Sequence, residues 1–131
     1  EIVQLPKLSR TPNTPNHIKG VANVRGDTYV VFDLSTRFQV SEETEARYLL
    51  IIGHSEVKAG LQLPLLPSTF KVDGKSISSE MNMIEDASLD VSYIKGIIQY
   101  EEKLIYYLDI IEMLQSDKAV VVPDKILAKE G

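Results

Sequence analysis

The strongest constraint in this sequence is that part of it occurs twice. His17-Ile18-Lys19-Gly20-Val21-Ala22-Asn23-Val24 aligns with Tyr93-Ile94-Lys95-Gly96-Ile97-Ile98-Gln99-Tyr100 at a constant offset of 76. Ile18, Lys19 and Gly20 recur as Ile94, Lys95 and Gly96. Arg25-Gly26-Asp27 falls on Glu101-Glu102-Lys103, Tyr29-Val30-Val31-Phe32 on Ile105-Tyr106-Tyr107-Leu108, Asp33-Leu34 on Asp109-Ile110 and Phe38 on Leu114. The match runs without a gap over about 22 positions. An internal repeat of this kind means two similar structural units.

Each copy reads in the same order: a run of branched and aromatic residues, a turn, a second run, then an Asp. The Asp stands where a strand hands over to a helix. A carboxylate there accepts otherwise orphaned helical N–H groups, so Asp33 and Asp109 are expected to be caps rather than a catalytic pair. Small antiparallel units usually close into barrels, because closure removes exposed edges. The expected fold is therefore all-β: two pseudo-symmetric SH3-like small β-barrels packed side by side, with short capping helices.

The rest of the chain furnishes the copies unequally. Arg47 to Ile52 reads as a buried strand, Gly53 to Glu56 as a turn, and Val57 to Leu66 as a second strand limited by Pro64 and Pro67. Copy two is thus preceded by about 45 residues with two further strands, copy one by only 16 residues rich in Pro and Asn. The first barrel is expected to be truncated at its N-terminus. Either the chain was trimmed there, since it lacks an initiator Met, or a neighbouring copy lends a strand, as in a strand-exchanged homodimer. The expected division is one domain over 1–131, with an incomplete first barrel at 1–40, a second barrel at 46–116 and a C-terminal extension at 117–131. In that extension Val120-Val121-Val122-Pro123 reads as an edge strand or a tail.

Composition narrows the functional classes. The 14 Lys and Arg are scattered and the net charge is −5, which disfavours nucleic acid. With no Cys, disulfides, thiolate metal sites and Cys nucleophiles are excluded. No apolar run approaches the roughly 20 residues that span a bilayer, so no membrane insertion is expected, and a cytoplasmic location is compatible. His17 and His54 lie apart without acidic neighbours at ligand spacing, which predicts no metal site. The carboxylate clusters Glu42-Glu43-Glu45, Glu85-Asp86 and Glu101-Glu102 fall in connectors, where water keeps them ionised. Ser35, Ser55 and Ser68 lack a nucleophile turn. No cofactor and no catalysis are expected. Arg25, at the tip between two apolar strands beside Asn23 and Gly26, reads equally as a solvated turn residue or as an interface anchor.

Asn16 through Gly26, followed by Val31-Phe32-Asp33-Leu34, resembles the signature of CheW-like domains, the adaptor modules of bacterial chemosensory arrays. Ile94-Lys95-Gly96-Ile97 through Leu108-Asp109-Ile110 to Leu114 resembles that family's second-half motif, and Arg47–Ile52 with Ala59-Gly60-Leu61 its central hairpin. Gly20 to Gly26 is worded much like adaptors of the type IV pilus chemosensory system, the PilI type. The resemblance covers roughly residues 1–116. It implies two five-stranded SH3-like barrels and no catalysis. It also implies a scaffold coupling the cytoplasmic hairpin tip of a chemoreceptor to the regulatory domain of a CheA-type histidine kinase. The partner-binding residues it points to are Asn23, Val24, Arg25 and Gly26, with Ile18 and Val21 of the same strand. The family usually has Pro where Val30 stands and Gly where Gln39 stands, and residues 119–131 have no clear counterpart. An alternative keeps the fold and makes this the CheW-like regulatory domain of a larger kinase or a receiver-fused adaptor. A small β-barrel enzyme or ligand binder is the remaining class, and no convergent polar pocket in the sequence supports it.

Overall fold

The computed structural model of the chain describes residues 1–38, 45–54, 57–79 and 92–116. Within them run eight strands, two short α-helices and a 3-10 turn at Gly74–Ser76: β1 (Ile2–Gln4), β2 (Ile18–Val24), β3 (Asp27–Phe32), α1 (Leu34–Arg37), β4 (Tyr48–His54), β5 (Val57–Leu63), β6 (Ile77–Ser78), β7 (Ile94–Tyr100), β8 (Lys103–Leu108) and α2 (Ile110–Ser116). The strands form one sheet in the order β1-β4-β5-β3-β2 and another in the order β6-β7-β8. The two copies of the repeat are thus β2-β3-α1 and β7-β8-α2, one in each sheet.

Copy one does not lack its companion strands. β4 and β5, assigned from the sequence to the second unit, join the first: β5 lies parallel to β3, with Val30 opposite Ala59 and Phe32 opposite Leu61. The incomplete first barrel and the boundary at residue 46 are corrected accordingly. Chain adjacency misled the assignment, because a parallel pairing across about 30 residues leaves no local pattern. Gly60 makes close packing here feasible, since a Cβ on it would sit 2.5 Å from Leu49 Cδ1.

The N-terminal segment completes this sheet. β1 pairs antiparallel with β4, with Ile2 opposite Leu50. Five residues later Ser9 exchanges two backbone bonds with Val21 of β2, at 2.9 and 2.8 Å. One segment therefore ties both edges of the sheet, and Pro6, which has no N–H to give to a ladder, lies between the two tethers.

Alternation along the strands builds two cores. Ala22, Val31 and Leu49 face Val3, Leu5 and Leu8 of the N-terminal segment. Val30, Phe32, Ala59 and Leu61 point the other way, onto Met113 and Leu114 of α2. Tyr93, Leu108 and Ile110 of copy two pack against that second cluster, so the second unit covers the outer face of the first sheet. The acidic runs at 42–43 and 85–86, Ser55, Gln39 and residues 117–131 lie outside the described residues.

Candidate interaction surface

The tip of the β2–β3 hairpin gathers the residues singled out in the sequence. Val24 pairs with Asp27, leaving a two-residue loop of Arg25 and Gly26. Their φ values, 51° and 87°, are both positive, as in the tight hairpin turns that follow strand twist. Asn23 supports the loop by accepting the Gly26 N–H on its side-chain oxygen at 3.2 Å. Part of the Asn-x-Arg-Gly spacing is thereby accounted for as turn chemistry.

That turn leaves Arg25 projecting, with its side chain 65% exposed. Its guanidinium donates to the Glu1 carboxylate, a pair that holds the Glu1 carboxyl below the usual range and Arg25 above its own. On the other side of the tip Lys58 reaches Asp27 at 3.4 Å. A Cβ on Gly26 would meet nothing within 4 Å, so the tip stands open to a partner. Screening makes such exposed pairs weak, so they orient the tip rather than hold the fold.

The other two residues of the strand are placed differently. Ile18 is 7% exposed and sits in the core against Phe32 and α2. Val21 is half-buried with its backbone tied to Ser9. Val24 is half-buried against the inner cluster. Asn23, Arg25 and Gly26 are thus the residues that the fold brings together at the surface.

Asp33 and Asp109 end their strands as helix caps. Asp33 accepts the Ser35 N–H at 3.2 Å and the hydroxyls of Ser35 and Thr36 at 2.8 Å each. Burial alone would raise its carboxyl, but these bonds and the nearby Lys19 charge hold it below the ordinary Asp value. Asp109 accepts the Glu112 N–H at 3.0 Å, the main reason its carboxyl is lowered, with Lys95 adding to the effect from 3.7 Å. His17 is half-buried, its ring 4.8 Å from that of Phe32. No group of three or more His, Asp or Glu is arranged to hold a metal among the described residues.

A second surface was not singled out in the sequence. Phe70 stacks on Tyr100 at 4.7 Å, and Leu65, Leu66, Leu104, Tyr106 and Tyr107 are also exposed. The signal was present in Pro64 and Pro67, which end β5 at Leu63 and leave Leu65 and Leu66 without a ladder.

Two packed β units, a hairpin tip carrying Asn23, Arg25 and Gly26, and several exposed apolar side chains fit a protein-interaction module. The sequence matches the CheW-like domain family over residues 1–118, and the chain belongs to that family. Among curated relatives it is 28% identical over 120 residues to the chemotaxis protein CheW of Helicobacter pylori, covering 89% of this chain and 70% of that protein. It is 23% identical over 124 residues to the chemotaxis protein CheW of Klebsiella aerogenes, covering 93% and 74%. Among solved structures it resembles the scaffolding protein TtCheW from Thermoanaerobacter tengcongensis, with a TM-score of 0.72 and 25% identity over 84% of this chain and 71% of that one. The two sheets therefore correspond to the two SH3-like barrels of the CheW fold, and the family is one of non-catalytic scaffolds.

Proposed function

We propose that this chain is a chemosensory adaptor that couples the cytoplasmic hairpin tip of a chemoreceptor to the regulatory domain of a CheA-type histidine kinase. The observation that carries this reading is the family match over residues 1–118. No helix among the described residues is long and apolar enough to cross a membrane, which agrees with an adaptor that meets its receptor in the cytoplasm. Asn23, Arg25 and Gly26 present the hairpin tip to a partner, while Ile18, Val21 and Val24 act from beneath by fixing the strand that carries it. The wording of Gly20 to Gly26 favours an array that controls type IV pili.

Binding through apolar surface with a few charges gives moderate affinity and weak dependence on salt. Calorimetric titration of the folded chain with a receptor cytoplasmic fragment and with the kinase regulatory domain tests the reading. It predicts micromolar binding to each. A folded chain that binds neither would sink it.

A further inference from the structure

Beyond the hairpin tip, the residues after Ser9 build a separate feature over the start of β2. Asn13 takes a left-handed conformation, φ 61°, which Asn tolerates better than most residues. Thr14 donates its hydroxyl to the Thr11 carbonyl at 3.0 Å, and the Pro15 carbonyl accepts the Ile18 N–H at 3.0 Å. The folded-back loop and β2 border a half-open cavity of about 280 Å³. Arg10, Thr11, Thr14, Asn16 and Lys19 line it beside Ile18, and among the described residues no carboxylate does.

Lys19 reaches this cavity because of a bulge. The β2–β3 register shifts between Ile18 and Gly20, leaving Lys19 as the extra residue, and bulges re-aim side chains in this way. The same shift occurs between Ile94 and Gly96 in copy two. There the equivalent lysine is used internally: Lys95 lies 3.7 Å from Asp109 and 5.6 Å from the centre of the Tyr107 ring. Lys19 has no ion pair of its own among the described residues, and neither has Arg10. The Lys19 charge is felt by Asp33, whose oxygens are already engaged by Ser35 and Thr36.

We infer that this cavity is an oxyanion site that takes one carboxylate or phosphate group. Arg10 offers a planar fork of donors and Lys19 a compact ammonium. The hydroxyl of Thr11 and the amide of Asn16 add neutral donors. The volume lies at the low end for ligand pockets, which suits a single anionic group with its waters rather than a whole cofactor. The group comes either from an acidic side chain on a docked protein or from free phosphate.

The test is a nuclear magnetic resonance titration of the ¹⁵N-labelled full chain with sodium phosphate and, separately, with an N-acetylated, C-amidated glutamate. Ionic strength is held constant with sodium chloride. Saturable shifts confined to residues 10–19 are expected. The Arg10→Gln/Lys19→Gln double variant should weaken binding by roughly tenfold or more, as loss of charge-assisted hydrogen bonds requires. Lys95→Gln should leave it unchanged. Saturation by both ligands, or by the glutamate alone, assigns the site to an acidic side chain. Saturation by phosphate alone assigns it to the free anion. Shifts that do not saturate, that spread over the surface, or that persist in the double variant would overturn the site. None of these outcomes depends on whether the chain binds a receptor or a kinase.

Discussion

Copy one and copy two share a backbone plan and differ in what surrounds it. Val30, Val31 and Phe32 of β3 are buried, whereas their counterparts Tyr106 and Tyr107 are 38% and 44% exposed and Leu108 is half-buried. β3 lies between β2 and β5, while β8 ends its sheet among the described residues. The side chains follow their place in the sheet: apolar residues on β3, which has a strand on either side, and amphipathic tyrosines on the more exposed β8. The glycine of the repeated I-K-G follows a similar logic. In each copy another backbone segment crosses it, so a Cβ on Gly20 would lie 2.5 Å from the Ser9 carbonyl oxygen, and one on Gly96 would lie 3.0 Å from that of Ser78. The bulge, the crossing segment and the Asp cap are what the duplication kept. The turn and the outer surfaces are where the copies diverged.

The largest expected contrast is between Phe32→Ala and Leu108→Ala. Phe32 is fully buried between the units, so its truncation should cost about 4 kcal/mol, against about 2 kcal/mol for half-buried Leu108. Urea denaturation of both variants measures the gap, and equal losses would mean that copy two is as enclosed as copy one. Next come the crossing glycines. Gly20→Ala meets a backbone carbonyl at φ 141° and should cost about 3 kcal/mol. Gly96→Ala first meets the Ile77 methyl at 2.6 Å, which can shift, and should cost about 1.5 kcal/mol.

The turns sharpen the comparison on a smaller scale. Glu101 and Glu102 adopt φ values of 47° and 65°, a conformation that suits Asn-Gly. Replacing them by Asn and Gly should raise stability by about 1 kcal/mol, and Gly26→Ala should lower it by a similar amount. Thermal unfolding of the two variants reads the opposite signs.

The caps give the smallest effect. Asp33→Ala should cost about 1 kcal/mol at neutral pH. Because its folded pKa is depressed, the contribution of the Asp33 charge is fully present above the unfolded value, near 3.9. It is lost as pH falls through the lower folded value. Asp33→Asn, which keeps a capping oxygen, should therefore flatten the acid limb of the stability profile, and an unchanged limb would show that the charge contributes nothing.

Much of this plan was legible because it is local. Strand runs, two-residue turns and an Asp at the strand end are encoded by neighbours in the chain, so β2, β3, β7 and β8 were visible. The placement of β4 and β5 was not, since it depends on a parallel pairing of Val30 to Phe32 with Ala59 to Leu61 that no periodicity reveals. At the candidate site Arg25 stood out at the tip of the turn, whereas Asn23 and Gly26 were pointed to by the resemblance to CheW-like domains. Ile18 could not be recognised as core, because the bulge at Lys19 shifts the alternation that would have placed it. The cavity beside Lys19 depends on the same bulge and was equally hidden.

On the function proposed above, the first hairpin tip, and not its copy, meets the adaptor's partners. Calorimetric titration of the receptor fragment and the kinase regulatory domain into Arg25→Ala and into Glu101→Ala/Glu102→Ala decides it, with folding of each variant checked by its unfolding midpoint. Arg25→Ala is predicted to weaken at least one interaction by roughly tenfold, as loss of an interface arginine does. The double glutamate variant should bind as the parent does. Equal binding by Arg25→Ala, or a loss confined to the glutamate variant, would contradict the claim.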